Sequence, residues 1–217
     1  MPPIPHSKLL RAVFPIVLLS SLAACAGGAY TGPVEVTRFV SETPAVLGQG
    51  TIALRFAPDL TNEAARDAFR AAIGNELGLL GYTVITNEEL ASQIAFIDTS
   101  RTPQAQAEQG NPVNVGVGGS TGSFGSGVGV GVGINLGGSG QQSPRVVSEL
   151  SVAISPNTDD PDRQNLWEAR AQFPTSVDSP YAPVDVNAAT LAAAVFADFP
   201  GGNGETISLD VAELVEP

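Results

Sequence analysis

Apolar and polar positions alternate with period two in several stretches of this chain and recur at helical spacing in two others. Val34, Val36 and Val40 fall on one side of an extended backbone, with Glu35, Thr37 and Phe39 on the other, which predicts a strand over residues 34–40. After the turn-rich stretch Ser41 to Gly50, Ile52, Leu54 and Phe56 alternate with Ala53 and Arg55 and predict a second strand. Thr61 is placed to cap a helix, with Asn62 and Glu63 near the positive end of its dipole. Ala65, Phe69, Ile73, Leu77 and Leu80 then recur at spacings of 4, 4, 4 and 3, an apolar stripe suited to packing on a sheet. Gly81 is placed to end that helix in a left-handed turn. Tyr82 to Thr86 reads as a short strand and Glu88 to Leu90 as a brief turn. Gln93 to Ser100 reads as a strand in which Ile94 and Phe96 oppose Ala95 and Ile97.

The pattern then changes character. Residues 110–140 hold 13 glycines in 31 residues and no charge. Two arms within them alternate strictly, Val113, Val115, Val117 and then Val128, Val130, Val132, Ile134, around a turn-rich tip bearing Phe124. Period two with glycine on the opposite face argues for extended structure, yet glycine packs nothing and loses more entropy on ordering. The leading expectation is a loose hairpin or disordered insertion. A second is a contact surface made by the same apolar residues, for another chain or for lipid. A backbone anion cradle is the weakest, because no Gly-Lys-Ser/Thr follows.

Beyond the insertion, Ser148, Leu150, Val152 and Ile154 align on one face. Trp167, Ala169, Ala171 and Phe173 align against Glu168, Arg170 and Gln172. With the polar turn Pro156 to Gln164 between them, these runs predict a hairpin. Asp159, Asp160 and Asp162 in that turn lack the glycine and distal glutamate of a calcium loop, so they read as a solvated turn. A second helix is expected with Leu191, Val195, Phe196 and Phe199 on its apolar side, Asn187 or Asp185 capping it and Pro200-Gly201-Gly202 stopping it. Thr206 to Ala212 alternates again and reads as an edge strand or a trailing tail. The fold class is therefore α/β of the two-layer α+β kind. It comprises a mixed, largely antiparallel sheet of about five or six strands with two helices on one face, plus the Gly-rich insertion. Residues 34–202 are expected to form a single domain and 203–217 its tail or edge strand.

The start of the chain follows different rules. Lys8 and Arg11 precede an uncharged apolar run, Ala12 to Ala24, that is too short for a bilayer span of roughly 20 residues. Small residues then lead into a cysteine, Leu22-Ala23-Ala24-Cys25, the layout of a secretory signal over residues 1–24. The four residues resemble the lipobox of bacterial lipoproteins. That resemblance implies cleavage before Cys25 and acylation of Cys25, and the small, turn-forming residues 26–33, AGGAYTGP, make 25–33 read as a short flexible, lipidated tether. Ala26, which is not aspartate, implies by the same resemblance the periplasmic face of the outer membrane rather than the inner membrane.

Composition narrows the chemistry. The mature chain would carry eight arginines against 22 carboxylates, a net charge of −14 that repels nucleic acid and anionic headgroups. Its only cysteine is the anchor, its only histidine (His6) and only lysine (Lys8) leave with the signal, and no disulfide can form within the chain. Ser-His-Asp and Cys-His nucleophiles, Schiff bases and His/Cys zinc sites are therefore excluded. No cofactor, no metal and no nucleic-acid partner is expected, and the chain does not read as an enzyme.

The helix ending Leu77-Gly78-Leu79-Leu80-Gly81-Tyr82, the strand Gln93 to Ser100, the Gly-rich stretch, the strand with Leu166-Trp167-Glu168-Ala169-Arg170-Ala171 and the helix ending Phe199-Pro200 together resemble the bacterial lipoproteins grouped under domain of unknown function 4136. The resemblance covers most of residues 34–200, and the tail after Gly204 departs from it. It implies a compact α/β domain in the envelope and no activity. Three functions are expected in descending order. They are a non-catalytic envelope interaction module touching an envelope protein or a second copy of itself, a small-ligand binder, and a carboxylate-dependent hydrolase needing two acids across a cleft.

Overall fold

A computed structural model describes residues 29–42, 46–104, 143–160 and 162–215. Along the chain run β1 (Val34–Val40), β2 (Thr51–Phe56), α1 (Glu63–Leu79), β3 (Thr83–Ile85), β4 (Gln93–Pro103), β5 (Arg145–Pro156), β6 (Trp167–Ser176), α2 (Val184–Phe196) and β7 (Thr206–Leu209). The seven strands form one sheet in the order β3-β2-β4-β5-β6-β1-β7. Only the β2–β3 and β2–β4 pairs are parallel, and the other four are antiparallel. The count exceeds the expected five or six because two short edge strands, β3 and β7, close the two sides. The expected tail strand is β7, which pairs with β1 from Thr206↔Thr37 to Leu209↔Val34.

Both helices pack on the same face of the sheet. The core joins Ile52, Ala95, Ile97, Leu150, Val152, Ile154, Trp167, Ala169, Ala171 and Phe173 of the sheet to Phe69, Ile73 and Leu77 of α1 and Leu191, Val195 and Phe196 of α2. These are the residues that the alternating and helical patterns set on inner faces, because one covered face is what imposes period two on a strand. The lone tryptophan anchors the centre. Its ring stacks on Phe196 at 5.4 Å between centroids and tilts against Phe199 at 5.0 Å, while its Nε1 donates to the Pro200 carbonyl at 2.9 Å.

Local signals differ from expectation in three places. Asn62, not Thr61, caps α1, its side-chain oxygen accepting from the Ala65 N–H at 3.1 Å. Neither Asp185 nor Asn187 caps α2, which starts behind Pro183 without a side-chain cap. Asn187 is buried in the first turn, with its amide donating to the Tyr181 carbonyl at 3.3 Å. Arg38 also sits on the inner face of β1 with Val34 and Val36, although it is charged and only 1% exposed. Its Nη2 donates to the Ala194 carbonyl at 3.3 Å, in the last turn of α2, where carbonyls lack intrahelical partners and a cation is favoured. Burial pushes the Arg38 pKa down, opposed by the nearby charges of Asp198 and Glu205. Gly201 leaves room for it. At φ +74°, a Cβ there would stand 2.7 Å from Arg38 Nη1. Gly81, at φ +103°, follows α1 in the left-handed conformation expected of it.

Candidate functional site

Two places on this fold merit description as sites, one at each end of the sheet. The first is the end where β4 finishes and β5 begins, here called the stem end. The β4–β5 ladder closes there from Gln93↔Pro156 down to Pro103↔Val146, and the Gln104 N–H donates to the Arg145 carbonyl at 2.9 Å. The described residues on either side of 105–142 therefore lie on adjacent antiparallel strands. The N-terminal segment arrives at the same end. Tyr30 N–H donates to Ser176 Oγ at 2.8 Å and its carbonyl accepts from Ser176 N–H at 2.8 Å. Thr31 bridges to Thr175, its hydroxyl 2.7 Å from that of Ser179, and Gly32 N–H reaches the Pro174 carbonyl at 2.9 Å. The Arg145 guanidinium lies over the Tyr30 ring, 4.0 Å from its centroid.

Next to this junction Asp178 accepts a hydrogen bond from the Ser143 hydroxyl at 2.8 Å. Hydroxyls of Ser176 first and Ser143 second hold its carboxyl below the ordinary value of 3.8. The Ser143 hydroxyl thus stitches the chain just after the insertion to the turn that follows β6. The flexible tether expected up to Pro33 is, from Tyr30 onward, bonded to the sheet. An aromatic and a threonine inside a run of Gly and Ala were the available signal, and composition alone obscured it.

The second place lies near the opposite end, on the sheet face without helices. A cleft of about 280 Å³ opens there over Ile94 between Arg55 of β2 and the 155–163 segment, with Asn157, Thr158, Asp159 and Arg163 on its wall. Its floor borders a small second apolar cluster of Ala53, Ala91 and Ile94. Arg55 is held by Glu88, with Nε and Nη2 donating to the same carboxylate oxygen at 2.9 and 2.6 Å. Asn157 ties the rim to the Glu88–Leu90 turn by donating to the carbonyls of Glu88 and Ala91 at 2.7 and 2.8 Å. The volume lies just below the range of roughly 300–1,000 Å³ common for ligand pockets. Of the lining residues, Asp159 alone carries a carboxylate, so the two facing acids of a glycosidase do not meet there.

Leu22, Ala23, Ala24 and Cys25 lie outside the described residues, as do Val113, Val115, Val117, Phe124, Val128, Val130, Val132 and Ile134. Glu168 accepts from Asn165 at 2.6 Å and Arg170 donates to Ser151 at 3.3 Å, each toward a neutral neighbour. In the aspartate turn, Asp160 accepts from the Asp162 N–H at 2.9 Å. Among the described residues no group of three His, Cys, Asp or Glu side chains is placed to hold a metal ion, and no helix is long and apolar enough to cross a membrane.

No protein-family model matches this chain, and no curated protein matches it significantly in sequence. Among solved structures it is similar to a PDZ-domain protein from Parabacteroides distasonis, at TM-score 0.49 and 16% identity over 82% of this chain; the chain spans 39% of that protein's length. It is also similar to the PelC dodecamer from Paraburkholderia phytofirmans, at TM-score 0.37 and 9% identity over 73% of this chain and 94% of that one. A minor lipoprotein from Acinetobacter baumannii matches at TM-score 0.26 and 11% identity, over 69% of this chain and 92% of that one.

Proposed function

We propose that this is a lipid-anchored envelope protein of the kind grouped under domain of unknown function 4136, held by Cys25 at the periplasmic face of the outer membrane and acting as a non-catalytic interaction module. The observation that carries the reading is Leu22-Ala23-Ala24-Cys25 directly behind an uncharged apolar run. Each buried methylene of an acyl chain contributes about 0.8 kcal/mol and a second chain makes attachment stable, so a fully acylated cysteine needs no help from the protein to stay on the membrane. The non-catalytic half rests on a mature chain without histidine, lysine or free thiol. A partner is expected at the Gly/Val arms, whose apolar residues lack the charge that keeps an exposed strand single.

The test is crosslinking in cells followed by capture of the acylated protein from membranes, wild type beside a deletion of Asn111 to Gly140. Capture of an envelope protein, or of a second copy, by the wild type and its loss in the deletion is the expected result. Capture of nothing by either chain contradicts the interaction role.

A second reading, a binder of small polar ligands, is favoured by the cleft between Arg55 and Arg163. A ligand bound there stabilises the wild type against heat and loses most of that effect in Arg163→Ala; equal stabilisation of both chains places the ligand elsewhere.

A further inference from the structure

Tyr30 is locked to Ser176 and Arg145 at the stem end, and it follows Cys25 by five residues. Five fully extended residues reach at most about 18 Å. The twelve residues of β5, at about 3.3 Å each, make the sheet roughly 40 Å long from the stem end to the far end. A tether of that reach cannot place the far end on the bilayer that holds Cys25, so the stem end or one flank must face it.

The flanks are unsuited to that contact. The helix-free face of the sheet presents Glu35, Asp98 and Glu149 around Arg170 and the exposed Phe39, and the outer side of α1 presents Glu63 and the Asp67–Arg70 pair. Both flanks thus carry more carboxylates than the stem end, in a chain with 22 carboxylates against ten Lys and Arg. At the stem end two valines are exposed, Val177 just after β6 at 52% and Val184 at the start of α2 at 39%. Its aromatic Tyr30, half-buried under Arg145, has the apolar body and polar tip that suit a headgroup layer. Arg101 and Arg145 at the same end are matched in number by Asp178 and Asp185, exposed beside the valines, so this end carries no cationic excess. The lipid surface this end fits is therefore zwitterionic rather than anionic.

We infer that the stem end of the sheet rests on the zwitterionic phospholipid surface bearing the anchor, with Val177 and Val184 against it and the Arg55–Arg163 cleft turned away. This inference rests on acylation of Cys25. In the acylated chain that sulfur is blocked, so a cysteine introduced at Val177 or, as the distant control, at Leu90, 72% exposed near the far end, is the only free thiol. Each variant, acylated and full length, is labelled with an environment-sensitive fluorophore and reconstituted on phosphatidylcholine vesicles carrying a headgroup-level quencher.

Val177→Cys is expected to be quenched several-fold more than Leu90→Cys, with no increase when anionic lipid is added. Equal quenching at the two positions, in protein that floats with the vesicles, overturns the orientation while leaving the anchor intact. Quenching that grows with anionic lipid overturns the zwitterionic contact. Protein that fails to float with the vesicles overturns the anchor, and the orientation with it.

Discussion

The guanidinium carbon of Arg145 stands 4.0 Å from the centre of the Tyr30 ring, joining the N-terminal segment to the first residue of β5. One contact thereby fastens the N-terminal segment to the stem from which residues 105–142 depart. A cation over an aromatic face at a half-exposed site contributes about 0.5–1 kcal/mol. Arg145→Ala and Tyr30→Ala should each lower stability by about that much beyond the loss of packing, and the double variant by less than their sum. Denaturant unfolding of the four chains measures the coupling. Strict additivity means the contact is incidental.

The Asp178 carboxyl, lowered by the Ser176 and Ser143 hydroxyls, makes the junction sensitive to acid. A depressed carboxylate adds stability above its unfolded pKa, and that contribution is lost as pH falls through the folded value. The window therefore lies below the ordinary 3.8. Carbon-detected NMR titration should find the Asp178 midpoint below that value. Ser143→Ala should move it up, and Ser176→Ala further, because the larger share comes from Ser176. An unmoved midpoint in both variants contradicts the assignment.

Arg38 holds the last turn of α2 against β1 from inside the core. Arg38→Ala removes both the donor to the Ala194 carbonyl and the volume around it, a loss of about 2–4 kcal/mol. Arg38→Met restores most of the volume without the charge and should recover more than half of that loss. Unfolding midpoints of the three chains decide it. If Arg38→Met is as unstable as Arg38→Ala, the guanidinium's hydrogen bonding outweighs its packing.

The β4–β5 ladder closes with its own backbone bonds down to Pro103↔Val146, so the domain does not need the insertion to hold its register. Deleting Asn111 to Gly140 shortens the loop from 38 residues to eight and should stabilise the fold by about 1 kcal/mol through closure entropy. Thermal unfolding should stay cooperative with an equal or higher midpoint. Loss of cooperativity contradicts the peripheral standing of the arms.

The strands were legible wherever one face meets the helices, as in Ile52-Leu54-Phe56 and Trp167 through Phe173, because burial on one side is what writes period two into a sequence. The α1 stripe was legible for the same reason, and Gly81 because a left-handed position after a helix selects glycine. Arg38 was not legible. Its place on an inner face makes sense only once the C-terminal end of α2 and the side-chain-free Gly201 are brought against it. The start of α2 was misplaced because Pro183 precedes it where a hydrogen-bonding cap was sought. The cleft joins residues 55, 94, 155–159 and 163, from three separate stretches, and no single motif records it. At the stem end, Tyr30 and Arg145 lie far apart in sequence and meet only when β1 and β5 both flank β6.

The proposed anchor rests on the state of one sulfur atom, that of Cys25. Mass spectrometry of the N-terminal peptide of protein extracted from membranes measures it directly. The account predicts a chain beginning at Cys25 that carries a thioether-linked diacylglycerol and an amide-linked acyl group. A chain beginning elsewhere, or a Cys25 with an unmodified thiol, contradicts it.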